Sequence, residues 1–119
     1  ERLEKLRNKL LNGLRSHIQN LELNGSLSNR LPHNLSISIP GIESRALLIQ
    51  IKKYISLSTG SACTTAEVEP SHVILALGYG ENRAYSSIRF GLGKGNSESE
   101  IHLTINWIVD AVKRLRKLK

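Results

Sequence analysis

Leu35, Ile37 and Ile39 alternate with Ser36 and Ser38 until Pro40-Gly41 stops the run. A two-residue period sends alternate side chains to opposite faces, so this segment is a strand with one apolar face and one face of small hydroxyls. That pattern limits the fold more than any other, because such a strand must bury its apolar face against a second layer. The serine face would also tolerate close packing of another layer. Residues 86–92 repeat the period, with Ile88, Phe90 and Leu92 on one face and Arg89 on the other. An apolar core cannot account for Arg89.

Elsewhere the period is helical. Leu3, Leu6, Leu10, Leu14 and Ile18 recur every three or four residues, with Arg2, Lys5, Arg7, Lys9 and Arg15 between them. Ile101, Ile105, Ile108, Val112 and Leu115 define a last helix, which Ser97 and Glu100 start with a capping box. Residues 43–53 favour a third helix, after which Ile55 and Leu57 alternate with Tyr54 and Ser56 as a strand. Leu21 and Leu23 suggest a short strand ending in the turn Asn24-Gly25, followed by a loop to Pro32. Pro70 suits the first turn of a helix carrying Val73 to Leu77, and Gly78 supplies its left-handed stop. Gly91, Gly93 and Gly95 are turn punctuation, since no Gly-Lys-Ser/Thr follows to make a phosphate loop. Helices interleaved with three or four short strands predict an α/β fold, a small mixed or antiparallel sheet covered by helices. Residues 1–119 are expected to form a single domain.

Chemistry points to Ser58-Thr59-Gly60-Ser61-Ala62-Cys63-Thr64-Thr65, which holds the only cysteine. Small residues and hydroxyls flank the thiol, so the expectation is a mobile, reachable loop at about residues 58–69. His72 lies on the following helix and could serve as a base, although a single surface histidine is the simpler reading. A lone cysteine excludes an intrachain disulfide, suits a reducing compartment and leaves too few soft ligands for a structural zinc site. Metal ligands are therefore expected to be none. No apolar run is long enough to span a bilayer, so an intracellular protein without a membrane partner is expected.

The 119 residues contain no methionine and open within a helical pattern, which suggests a fragment rather than a primary translation product. Net charge is +7. Residues 1–15 carry five basic and two acidic side chains and residues 113–119 carry five basic and none acidic, which leaves seven basic and eight acidic between them. The positive charge thus sits at the two ends, as solvated helix faces, and base-stacking aromatics are nearly absent there.

Leu57-Ser58-Thr59-Gly60-Ser61-Ala62-Cys63-Thr64-Thr65, then Glu69-Pro70-Ser71, Ala76-Leu77-Gly78 and Ser86-Ser87-Ile88-Arg89-Phe90-Gly91-Leu92-Gly93, occur in the order seen in cysteine desulfurases. The chain resembles the C-terminal part of that family, in the NifS/IscS group with a long cysteine loop, from its first helix to about Trp107. Small departures are Thr59, Thr65 and Gly91, where serine is commoner in the family. The resemblance implies the C-terminal small domain of a fold-type I pyridoxal phosphate enzyme. It implies that Cys63 is the nucleophile that takes sulfur from L-cysteine as a persulfide, releasing L-alanine, and that Arg89 binds the substrate carboxylate. The persulfide would serve iron-sulfur cluster assembly or thiolation. Pyridoxal phosphate is implied for the full-length enzyme only, since none of the eight lysines has the setting of the cofactor lysine; no cofactor-binding residue is expected in this chain, which alone should be inactive. Implied partners are sulfur acceptors such as an iron-sulfur scaffold and a second copy in a homodimer, in the cytoplasm or an organelle; nucleic acid enters only indirectly through tRNA thiolation. Two other readings stay open: a stand-alone sulfur carrier that receives persulfide sulfur, and a cationic module for tRNA or an acidic protein.

Overall fold

The computed structural model describes residues 2–25, 33–58, 65–93 and 95–118, and for 54–58 and 65 the backbone alone. Four strands, β1 (Glu22–Leu23), β2 (Asn34–Ser38), β3 (Thr65–Val68) and β4 (Ser87–Gly91), form one sheet in the order β1-β2-β4-β3. Every pairing is antiparallel, which resolves the direction that the sequence left open. The described helices are α1 (Arg2–His17), α2 (Ser44–Ser58), α3 (Ser71–Ala76), α4 (Glu81–Tyr85) and α5 (Glu98–Lys117).

Register sorts the two faces of the sheet. Leu35 pairs with Phe90 and Ile37 with Ile88, while Ala66 and Val68 face the same residues from β3. This apolar face joins Leu6, Leu10 and Leu14 of α1, Leu47 and Ile51 of α2, and Ile101, Ile105 and Ile108 of α5 in one buried cluster. Burying each such side chain is worth about 1.5–3 kcal/mol, so this layer is the main source of stability. α1 and α5 pack closely enough that a Cβ on Gly13 would stand 2.4 Å from Cδ1 and 3.1 Å from Cγ1 of Ile105.

The opposite face carries Ser36, Ser38, Ser87 and Arg89. Its serines are fully buried, because the expected close layer is a polar one. Asn24 is also buried; its Nδ2 donates to Ser36 Oγ (3.1 Å) and Ser87 Oγ (3.0 Å), and its Oδ1 accepts from Arg83 Nε (2.7 Å). Arg83 also donates to Glu22 (2.9 Å) and to the Leu23 carbonyl (2.8 Å), and its guanidinium stacks on Tyr79 at 3.7 Å. β1, the 79–86 segment and the sheet are thereby locked together at one end, and the Arg89 end of this face is left open.

Two expectations need correction. The strand expected at Tyr54–Leu57 is helix, since α2 runs on to Ser58. Once a helix is nucleated each further residue adds a hydrogen bond, and four alternating residues without an available partner strand do not interrupt it. Of the loop expected at about 58–69, residues 59–64 lie outside the described residues, and Thr65–Val68 form strand β3 at the sheet edge beside β4. α4 was not anticipated from the sequence, and Arg7, assigned to the polar face of α1, is buried beside Asn8 and 3.9 Å from Glu4. The capping box holds: Glu100 N donates to Ser97 Oγ and Ser97 N to Glu100 Oε1 at 2.9 Å. Gly78 stops α3 at φ +92°, although Pro70 is its N-cap rather than its first residue.

Candidate active site

Arg89 stands on β4, an inner strand, with apolar Ile88 and Phe90 on either side along the chain. Those neighbours turn into the core, and alternation forces Arg89 to the open face, where its side chain is 45% exposed. Its cross-strand partners are Ser36 on β2 and Glu67 on β3. Directly opposed residues sit close enough for their side chains to meet, and Arg89 Nη2 donates to Glu67 Oε2 at 2.6 Å. Arg89 Nη1 lies 3.8 Å from Glu69 Oε1. Glu67 is 52% exposed, whereas Glu69 is 2% exposed. The hydrogen bond to Glu67, with the fields of Glu67 and Glu69, pushes the Arg89 guanidinium above its ordinary range, against a smaller lowering by desolvation. The group is cationic at every accessible pH and already oriented towards carboxylate oxygens.

Glu69 also lines a cleft of about 550 Å³ with Glu43, Arg45, His72, Glu81 and Tyr85. His72 is exposed on the short helix α3, so it contributes a polar rim to that cleft. Cys63 lies outside the described residues. The described residue that follows it, Thr65, pairs with Gly91, two positions along β4 from Arg89. Lys5, Lys9, Lys52, Lys53, Lys113 and Lys117 are all exposed on α1, α2 and α5, with none in an enclosed setting. Among the described residues no group of three or more histidine, aspartate or glutamate side chains could hold a metal ion, and no helix is long and apolar enough to cross a membrane.

Glu67 and Glu69 were not anticipated as neighbours of Arg89. A signal did exist: Thr65, Glu67 and Glu69 alternate with Ala66 and Val68, a two-residue period within the stretch read as loop. What the sequence lacked was the register that sets Glu67 against a residue 22 positions away.

No protein-family model matches the chain. Curated relatives do. A cysteine desulfurase IscS of Anaeromyxobacter sp. (strain Fw109-5) is 43% identical over 118 residues, 99% of this chain and 29% of that protein. The cysteine desulfurase IscS of Haemophilus influenzae (strain PittEE) is 46% identical over 117 residues, 98% of this chain and 28% of that protein. Among solved structures, a NifS-like protein superposes with a TM-score of 0.78 at 28% identity, covering 94% of this chain and 27% of the other. A NifS-like protein from Rickettsia africae ESF-5 gives 0.70 at 26% identity, covering 97% of this chain and 28% of the other. The chain therefore spans less than a third of the length of the proteins it matches, and nearly all of its own length takes part in each of these matches. By sequence and by fold the chain belongs to the cysteine desulfurase family, corresponding to the C-terminal portion of such a protein.

Proposed function

We propose that the chain supplies two groups to a complete cysteine desulfurase: Cys63, which accepts the sulfur, and Arg89, which holds the α-carboxylate of L-cysteine. The observation that carries this reading is the Arg89 guanidinium itself, set by strand alternation on the open face and already hydrogen-bonded to a carboxylate oxygen at 2.6 Å. A planar fork with five donors can engage both oxygens of a carboxylate at once, which fixes the orientation of a small amino acid. Cys63 precedes Thr65, the first residue of β3, by two positions in the sequence.

In the sulfur transfer, the Cys63 thiolate forms an S–S bond to the substrate sulfur as the substrate C–S bond breaks. The bonding pair stays with the carbon fragment, which takes up a proton and leaves as L-alanine. Pyridoxal phosphate is the electron sink that such a cleavage needs. The exposed helix-surface lysines described above do not fit the seat of its aldehyde, so on this reading the rest of the full-length protein holds the cofactor and the described residues contribute no step through it. A sulfur acceptor such as an iron-sulfur scaffold protein, a homodimeric full-length enzyme and a cytoplasmic or organellar setting complete the reading. A match confined to a portion of longer desulfurases does not favour a separate sulfur carrier or a cationic binding module. The test is to incubate the full-length protein bearing this segment with L-cysteine, digest it without reductant and weigh the peptide carrying Cys63. One added sulfur atom on that peptide is expected; an unmodified Cys63 in an active enzyme would refute the assignment.

A further inference from the structure

Arg89 is one cation facing two carboxylates. Glu69 is anchored: it is 2% exposed and its backbone N–H donates to the Ser87 carbonyl at 3.2 Å. Glu67 is half exposed, sits on the edge strand β3 and is held to Arg89 by the shorter contact, 2.6 Å against 3.8 Å. Nη1 and Nη2, the pair that would grip a third carboxylate, are the atoms that point at these two glutamates. A substrate carboxylate arriving here meets a site whose local charge is already negative, and it can take Nη2 only if Glu67 releases it.

From this geometry we infer that Glu67 is an affinity-setting residue, an internal carboxylate that occupies the substrate fork of Arg89 and is exchanged for the α-carboxylate on binding. The inference rests on the reading of Arg89 as the carboxylate site. Glu67 is the member of the pair that moves, because an exposed edge-strand side chain can swing into solvent, whereas Glu69 would have to leave a buried position. Exposed ion pairs are weak, so the exchange is cheap enough to permit binding but large enough to measure. Glu67 thereby lowers affinity for every carboxylate ligand by a similar factor.

The experiment uses the full-length enzyme with Glu67→Gln, Glu67→Thr and Arg89→Ala. Steady-state kinetics with L-cysteine give KM and kcat, and equilibrium titration with L-alanine, which has the carboxylate but no sulfur, gives a readout independent of turnover. Both Glu67 variants should lower KM and the L-alanine Kd by about two- to fivefold with kcat little changed, the size of an exposed ion pair. Glu67→Thr restores a good strand former, so a fold defect in one variant does not decide the matter. If Arg89→Ala weakens both constants while both Glu67 variants leave them unchanged or weaken them, the exchange is wrong and the Arg89 reading stands. If Arg89→Ala changes neither constant, the Arg89 reading itself fails.

Discussion

At the scale of single residues, Arg89 is separable from the fold it sits on. Its hydrogen-bonded pair with Glu67 is exposed and contributes little to stability, roughly 0–1 kcal/mol, and its approach to buried Glu69 is long, at 3.8 Å, while a charged hydrogen bond to a substrate carboxylate is worth about 1.5–3 kcal/mol. Arg89→Ala in the full-length enzyme should therefore raise KM for L-cysteine about tenfold or more and leave the melting temperature nearly unchanged. A large fall in melting temperature instead would make Arg89 structural. The raised pKa has a definite consequence for pH dependence: stability gained from a group whose folded-state value is raised is fully present below its unfolded value and is lost only as pH rises through the folded one. Arg89 therefore stays charged through the whole range in which an enzyme is assayed, and an alkaline limb in the pH–rate profile belongs to another group. Carboxylate affinity that falls on deprotonation of Arg89 between pH 7 and 10 would contradict this. Asn24 behaves in the opposite way. Replacing it with alanine takes one hydrogen-bond partner each from Ser36, Ser87 and Arg83 at buried or half-buried positions, and a loss of about 2–4 kcal/mol in denaturant unfolding is expected without any change in substrate affinity.

At the scale of elements, the contact between α1 and α5 sets a test of packing against propensity. Gly13→Ala should gain about 1 kcal/mol of helix propensity, but its Cβ would overlap Ile105, a buried residue, and overpacking of this kind costs about 1–3 kcal/mol. The variant should be less stable by about 1 kcal/mol; a more stable variant would mean that Ile105 yields freely. Local signals read well from sequence here. The Ser97–Glu100 capping box needs only four residues, the Gly78 stop needs one, and the β2 and β4 alternations state which face is buried without any partner being known. Signals that depend on a distant partner did not. Tyr54–Leu57 alternates as a strand would, yet it pairs with no strand of the sheet and α2 simply continues. Thr65–Val68 alternates over the same number of residues and is a strand, because β4 offers it a free edge. The pairing of Glu67 with Arg89 is invisible for the same reason, while Arg89 itself stood out as a cation in a strand whose neighbours are core.

At the scale of the whole molecule, the charge and the core bear on what the chain can do alone. Lys9 meets Glu98 near the start of α5, and Arg116 at its end donates to the Gln19 and Pro40 carbonyls at 3.0 and 3.4 Å, so α1 and α5 run parallel and their basic C-terminal ends lie together. Part of that cationic cluster is thus fastening helix ends, which weakens its claim as a nucleic-acid surface. The apolar layer is built from α1, α2, α5 and the inner strands, all within this chain, and it needs no outside residue to be contiguous. Ile49, Leu75, Leu77 and Leu103 remain exposed, however, as surface that a longer protein has available for contact. The 119-residue chain should therefore fold cooperatively yet fail to turn over L-cysteine, since the buried core is local whereas no described lysine has an enclosed setting. Far-ultraviolet circular dichroism with thermal and urea melts tests the first half, and coincident transitions are expected. Addition of pyridoxal phosphate and L-cysteine tests the second, with neither a stable cofactor absorption band nor sustained L-alanine release expected. A folded chain that makes L-alanine continuously would show that the catalytic apparatus is complete within these residues, and an unfolded one would show that the exposed apolar surface must be covered before the core can form.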